Sequence, residues 1–557
     1  MVMTGSQMGN PVGASRIDKR RLRTWLLCLS FLVPYLSLNL PRLHLPGLCA
    51  EEAWAALPAL SLLGRKDLRA GHFISIGGIA FPVSETAYHG ALASYLLAPF
   101  LWLFGTTVEA IRCYSVCIGA LTLLMVFLFS RRLLNDDRVA WGATFLLAIS
   151  PAYISGTRLG VYYGVAIVLF QMAALASFAS WHAMGVRRHL YLGCYLLGCA
   201  LACYSFSILY IIAIIPFGFF FFCKTHQPIR VAAFCLGFFL LGMFPFNLYL
   251  MLDGKPFWDC LRTLYPHSYA RFGPFGGSAI LCILARRWNQ IMDLVARDPL
   301  TKEVFPLSGG VSTCRAMRLF FFGGLLWLPI SCCLRRQTFP RGCKIFLLLY
   351  AVFAFLVSPL GGLTFHVAHL FSILPILIII MVTALVEFVD TALGALSLGS
   401  RTLLIVCAGL FLGWVNPPRM PSLIKTMRGV SPCFTDGVYG MADWLRLNTG
   451  HDRLLPDYWL YPTVDFLTGH DLNGRLESLA VEPPKASDLL RVDVVVDYLA
   501  IGSEASTTGC GLFNVPVYRL IRSAEARGEL KRLKTFYNLD GTPMMAAYKV
   551  MHHGPGR

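Results

Sequence analysis

The stretch RCYSVCIGALTLLMVFLFSRR, residues 112–132, sets eighteen uncharged residues between one arginine and an arginine pair. As a helix rising about 1.5 Å per residue it is long enough to cross the hydrocarbon core of a bilayer. Similar apolar runs begin near Thr24, Val139, Tyr162, His189, Ser205, Arg230, Arg318, Lys344, His366 and Arg401. The run from His189 to Cys223 is too long for one crossing and short for two, so it reads as a tight helical hairpin turning at Tyr204-Ser205. Together these predict about eleven spans.

The composition agrees. Of 557 residues, 56% are hydrophobic and 14% charged, and the mean hydropathy is +0.62. An ordinary soluble core cannot use that much apolar surface. The net charge of +18 would suggest nucleic acid in a soluble chain. Here the bases cluster in short segments between apolar runs, which reads as membrane topology with no nucleic-acid partner. Arg16, Lys19, Arg20, Arg21 and Arg23 precede the first run, so the N-terminus is expected in the cytoplasm. Arg131, Arg132, Arg138, Arg187, Arg188, Lys224, Arg230, Arg335, Arg336, Arg341 and Lys344 fall on that same side if eleven spans cross. The first run ends at Asn39-Leu40-Pro41-Arg42 without a small-residue cleavage site and is expected to be a retained span.

This arrangement predicts a transmembrane part over residues 1–416, with outer loops at 41–110, 156–160 and 252–317. Ala91 to Phe104 then lies on the outer side without crossing, as an interfacial or re-entrant helix. Ile280, Ile283, Leu284, Ile291, Leu294 and Val295 recur at near-helical spacing beside Arg286 and Arg287, a second candidate interfacial helix with a basic side. After Asn416-Pro417-Pro418 the composition turns soluble, and residues 417–557 are expected to form a small α/β domain outside the membrane. Within it Arg491 to Leu499 reads as a buried strand, Glu504 to Gly509 as a loop, Val517 to Leu533 as a helix, and Thr535 to Tyr548 as a hairpin around Asp540-Gly541. No Gly-rich phosphate loop stands in it. Cys49, Cys260, Cys314, Cys433 and Cys510 fall outside the membrane with no pairing fixed by the sequence, and no metal-ligand spacing occurs among the cysteines.

Two adjacent carboxylates, Glu51-Glu52, follow the first span closely. At a water–lipid boundary such groups are partly desolvated, which raises basicity and suits a general base. Acidic residues are equally at home at a helix N-terminus.

The order of Glu51-Glu52-Ala53, Tyr88-His89-Gly90-Ala91-Leu92, Leu103-Phe104-Gly105, Glu109-Ala110-Ile111-Arg112, Arg131-Arg132-Leu133-Leu134, Ser150-Pro151 and Arg158 resembles the polyprenyl-phosphate-sugar-dependent glycosyltransferases. These include the protein O-mannosyltransferases and the aminoarabinose transferase of lipid A modification. The resemblance implies an α-helical polytopic membrane protein of C-type glycosyltransferase fold, followed by the α/β domain. In that family an acidic pair in the first outer loop, usually Asp then Glu, carries the catalytic carboxylate. By position Glu51 would be the base and Glu52 would orient or help bind. The family often has a second acidic residue after an arginine in the next outer loop. Thr157-Arg158-Leu159-Gly160-Val161-Tyr162-Tyr163 keeps the arginine and lacks the carboxylate, so a divalent metal is poorly supported and no cofactor is implied.

The implied reaction is inverting transfer of a sugar from a polyprenyl-phosphate carrier to a hydroxyl of protein, lipid or glycan. Its leaving phosphate needs cationic stabilisation. His89, Arg158, Arg286 and Arg287 are candidates, and so is His369 in Leu363-Thr364-Phe365-His366-Val367-Ala368-His369-Leu370, which precedes Leu374-Pro375. Glu85, Tyr88 and His366 are candidates for the substrate cavity. Each basic residue has a bland alternative: an interfacial anchor for Arg158, a lipid-headgroup contact for Arg286-Arg287, a buried structural histidine for His369. A transporter or flippase of lipid-linked saccharides predicts polar residues at mid-membrane and an internal repeat, and neither is visible. An inactive assembly subunit of the same fold is the third reading. A bacterial inner membrane is the expected location, with the C-terminal domain periplasmic.

Overall fold

The computed structural model describes residues 14–45, 47–65, 71–85, 89–160, 164–214, 228–254, 277–296, 315–334, 338–358, 367–393, 396–415, 437–450, 452–456, 460–469, 472, 476, 491–498, 520–537 and 543–551. Helix α1 (Ala14–Asn39) leads into α2 (Ala50–Ser61), then a hairpin of β1 (His72–Ile76) and β2 (Ile79–Ser84), then α3 (Leu92–Phe104). The long apolar stretch is α4 (Val108–Leu134). Thr107 caps its start by accepting the amide of Ala110 at 3.1 Å, and Asn135, left-handed at φ 53°, ends it just past Arg131 and Arg132. It is followed by α5 (Asp137–Ala148), α6 (Pro151–Arg158), α7 (Val165–Met184), α8 (Arg187–Cys203), α9 (Ser205–Ile214), α10 (Pro228–Gly242) and α11 (Phe246–Asp253). Next come α12 (Gly277–Ala296), α13 (Arg315–Cys333), α14 (Arg341–Val357), α15 (Val367–Leu370), α16 (Leu374–Ala392) and α17 (Leu398–Val415).

The helices pack in a chain of neighbours: α10 on α8, α8 on α7, α7 on α4, α4 on α5, α5 on α16 and α16 on α13. Among the described residues, three helices are by themselves long and apolar enough to cross a membrane, and five if two bent pairs each make one span. The bent pairs are α5 with α6, at 62°, and α10 with α11, at 82°. Helix α3, at thirteen residues, extends about 20 Å, short of the roughly 30 Å hydrocarbon core. Its far end exposes Trp102, Leu103 and Phe104.

Tyr204, extended at φ −161° and ψ 126°, breaks α8 from α9. Helices α8 and α10 run parallel. Leu190 packs with Val231, Cys194 meets Cys235, and a side chain on Gly198 would overlap the carbonyl of Phe239. Parallel neighbours require the chain to return between them, as a hairpin turning at Tyr204-Ser205 demands.

The C-terminal elements are α18 (Gly437–Asn448), β3 (Leu454–Pro456), α19 (Tyr461–Thr468), β4 (Val494–Tyr498), β5 (Leu530–Tyr537) and β6 (Pro543–Val550). The sheet order is β3-β4-β6-β5, parallel between β3 and β4 and antiparallel elsewhere. Val494 and Val496 face α18 and α19, while Val495 faces Ile521 and Ala524 on the other side. Cover on both faces explains an unbroken valine run. The expected helix from Val517 to Leu533 is shorter: residues 520–526 are helical, Gly528 turns left-handed at φ +74°, and β5 begins at Leu530. The expected loop at Glu504 to Gly509, the boundary at residue 416 and Cys260, Cys314, Cys433 and Cys510 lie outside the described residues. Cys49 is buried and forms no disulfide among the described residues.

Candidate active site

The segment from Asn39 to Cys49 has little regular structure, so its carbonyls need donors. Two buried arginines supply them. Arg158, at the end of α6, donates from Nε to Leu45 O (2.9 Å), from Nη1 to Asn39 O (2.9 Å) and from Nη2 to Pro41 O (2.8 Å) and Arg42 O. Arg112, near the start of α4, donates to Leu43 O (2.8 Å) and Gly47 O (3.1 Å). It also clasps Glu52 in a fork, Nε to Oε1 at 3.1 Å and Nη2 to Oε2 at 3.0 Å. Glu52 Oε2 accepts the Cys49 amide at 3.0 Å as well, capping α2. Arg112 and Glu52 are wholly buried.

The acidic pair is therefore divided. Glu52 is consumed by Arg112 and the cap. Glu51, partly buried, has no ion pair or side-chain hydrogen bond among the described residues, and burial pushes its carboxyl up to about 8. Glu85 lies in the same layer. Its Oε1 is 2.6 Å from the Ser94 hydroxyl, which also reaches the Ala55 carbonyl of α2 at 3.0 Å, and burial raises this carboxyl too to about 8.

His89 is pinned by its neighbour: a side chain on Gly90 would collide with the Ala202 carbonyl at the end of α8. The His89 ring meets Tyr204 edge-on at 4.4 Å, and desolvation lowers its pKa to about 3, leaving a neutral imidazole. The Tyr204 hydroxyl lies 2.6 Å from His369 Nε2, and Phe206 stands against the His369 ring at 4.9 Å. Tyr210 donates to the His369 carbonyl and is within electrostatic reach of Arg287, which is buried on α12 and donates from Nη1 to Gln290 Oε1 at 2.6 Å. His89, His369 and Arg287 thus converge around Tyr204 and Tyr210.

Arg158 and Arg286 do not join them. The guanidinium of Arg158 serves loop carbonyls, the structural option for that residue. Arg286 is exposed while Arg287 is buried, because adjacent helical residues point about 100° apart. Tyr88 and His366 lie outside the described residues. Sequence reasoning missed Arg112, Tyr204 and Tyr210. The signal for Arg112 was a charge at the very start of an apolar run, where it needs a partner. Among the described residues, no three His, Cys, Asp or Glu side chains converge to hold a metal ion.

Residues 88–249 match the family model of dolichyl-phosphate-mannose-protein mannosyltransferases. No curated protein sequence matches the chain. Among solved structures, the oligosaccharyltransferase of Archaeoglobus fulgidus, in complex with zinc and sulfate, is similar with a TM-score of 0.54 and 16% identity over 93% of this chain and 72% of its own. The oligosaccharyltransferase AglB of the same organism, in complex with an inhibitory peptide and a dolichol-phosphate, gives 0.53 and 14% over 97% and 75%. ArnT from Cupriavidus metallidurans, bound to undecaprenyl phosphate, gives 0.53 and 13% over 94% and 97%. The likeness spans nearly the whole chain, and this is a membrane protein of the C-type glycosyltransferase fold that resembles the polyprenyl-phosphate-sugar-dependent glycosyltransferases in the order of its sequence motifs and in its architecture.

Proposed function

We propose that this protein transfers a sugar from a polyprenyl-phosphate carrier to a hydroxyl acceptor, with Glu51 as the general base. The reading is carried by one observation: of two adjacent carboxylates, Glu52 is engaged by Arg112, and Glu51 has no ion pair or side-chain hydrogen bond among the described residues while burial desolvates it. The Glu51 carboxylate accepts the acceptor's hydroxyl proton, and the oxygen attacks the anomeric carbon. The bond from that carbon to phosphate oxygen breaks, polyprenyl phosphate departs with the electron pair, and the anomeric configuration inverts. Arg287 supplies positive charge for the departing phosphate, and His89, His369 and Tyr204 supply hydrogen bonds. Glu85, beside Ser94, borders the acceptor side. With Glu52 taken by Arg112 and no carboxylate in the stretch just after Arg158, the donor set does not suit a metal.

In the same reading eleven spans within residues 1–416 place the N-terminus in the cytoplasm and residues 417–557 outside, in the periplasm of a bacterial inner membrane. Helices α3 and α12 border a cavity open to lipid. The decisive experiment follows labelled mannose from a polyprenyl-phosphate-mannose donor into membrane acceptors, comparing wild type with Glu51→Gln at matched expression. Loss of transfer in the variant is expected. Undiminished transfer would remove Glu51 from the role.

A further inference from the structure

The helix that carries Glu51 is gripped from two sides, and only one belongs to the membrane bundle. On that side Arg112 and Arg158 fix the segment leading into α2. On the other, the C-terminal α/β unit touches the chain on both sides of the helix. In the segment leading into it the Tyr439 hydroxyl of α18 donates to the His44 carbonyl at 2.6 Å, and Tyr439 lies within electrostatic reach of Arg112. Just past its end the guanidinium of Arg65 pairs with the Asp465 carboxylate of α19 and donates to Gly469 O at 3.3 Å, with side chains only 6% and 8% exposed. Between these points Phe466 packs into the same apolar core as Ala53, Ala56, Leu57 and Leu60.

Resting on the proposed role of Glu51 as base, we propose that the C-terminal unit is a positioning clamp for α2. It acts through Asp465 on Arg65 and Tyr439 on the His44 carbonyl, so that the reactivity of Glu51 depends on its being docked. Arg65 and Asp465 touch no reacting atom in this scheme and are positioning residues.

Among the described residues, the charged and titratable groups around α2 are Cys49, Glu52 with Arg112, Arg158, Glu85, the Arg65–Asp465 pair, Tyr439 and the more exposed His44–Glu109 pair. The carboxylates and guanidinium groups among them are paired, hydrogen-bonded or buried, so the surroundings of Glu51 change chiefly when the helix itself shifts. Loosening the clamp lets water reach the N-terminal turn of α2. That relieves the desolvation holding Glu51 at about 8, and its carboxyl falls toward the ordinary range.

The test needs no sugar donor. Dicyclohexylcarbodiimide reacts with protonated carboxyls in apolar surroundings, and mass spectrometry of the purified full-length protein reads its addition at Glu51, separately from Glu52, across pH about 5 to about 10. In wild type the labelling should fall by half near a pH of about 8. Asp465→Asn should move that midpoint down by about one pH unit or more, and the charge exchange Arg65→Asp with Asp465→Arg should restore it. Amide exchange in residues 50–61 should rise in Asp465→Asn alone. If Asp465→Asn does not fold, Tyr439→Phe, which removes one hydrogen bond, should show a smaller shift of the same sign. An unchanged midpoint in the folded variant overturns the clamp, even if exchange rises, because a merely structural contact would affect only the exchange. Failure of wild type to transfer sugar would instead overturn the transferase reading and leave this measurement standing.

Discussion

The two ends of the helical bundle handle charge in opposite ways. At the end where α4 finishes and α5 begins, Arg138 holds Asp136 and Asp390, each at 2.8 Å, and Arg401 adds a third contact to Asp390 at 3.0 Å. Deeper in, Lys344 Nζ reaches Glu387 Oε1 and the Ser331 hydroxyl, both at 3.0 Å, with Lys344 and Glu387 completely buried. Each of these three carboxylates has a cation. At the end holding the first loop, Arg112 and Arg158 are spent on carbonyls and on Glu52, and Glu51 has no cation among the described residues in a desolvated position. A burial cost that is neutralised at one end is left standing at the other, and such a cost is retained where chemistry uses it.

The largest effect that could break this contrast lies within the acidic pair itself. Glu51→Gln is expected to reduce transfer by about 10²–10⁴-fold, the usual contribution of a positioned base, while the protein melts at or above the wild-type temperature. Glu52→Gln should do the reverse. It leaves the Arg112 guanidinium buried beside a neutral amide, at a cost of about 3–5 kcal/mol, read as lost folded protein in a detergent thermal melt. Equal loss of stability in both variants would erase the distinction.

The pH dependence sharpens the same comparison. A base works only when deprotonated, and with the Glu51 carboxyl raised to about 8 the wild-type rate should climb as pH rises through that value and level off above it. The stability has the opposite sign. The folded state holds the Glu51 proton more tightly than the unfolded chain, so this contribution is fully present below the ordinary carboxylate range and is lost as pH rises through about 8. A transfer profile already flat at neutral pH would show that the acting base is not desolvated.

Much of this was legible in the sequence, and the limits have a physical pattern. Apolar runs could be read as helices because a bilayer constrains every residue of a span. The break at Tyr204-Ser205 followed from length alone. The choice between Glu51 and Glu52 could not, since it depends on Arg112, sixty residues away. Arg158 carried the right charge for a phosphate, and local carbonyls took it. Arg286 and Arg287 were read as one basic side, but the turn of a helix separates neighbours. The apolar runs also seemed nearly free of ionisable groups, yet Glu387 sits on α16 and pairs with Lys344, a contact that neither run reveals by itself.

The smallest expected effects come from removing one hydroxyl at each end. Ser331→Ala takes a partner from the buried Lys344 ammonium and should cost about 1.5–3 kcal/mol in thermal stability, the range for a hydrogen bond to a charged group, without altering transfer. Tyr204→Phe takes a hydroxyl from the ring nitrogen of His369, a hydrogen bond of about 0.5–1.5 kcal/mol. If that contact orients His369 toward the donor phosphate, the loss should appear as a rise of about 2–10-fold in KM for the polyprenyl-phosphate sugar, with the melting temperature little changed. A drop in melting temperature with an unchanged KM would make the Tyr204–His369 contact another structural pairing like those at the far end, and would leave Arg287 to meet the phosphate without it.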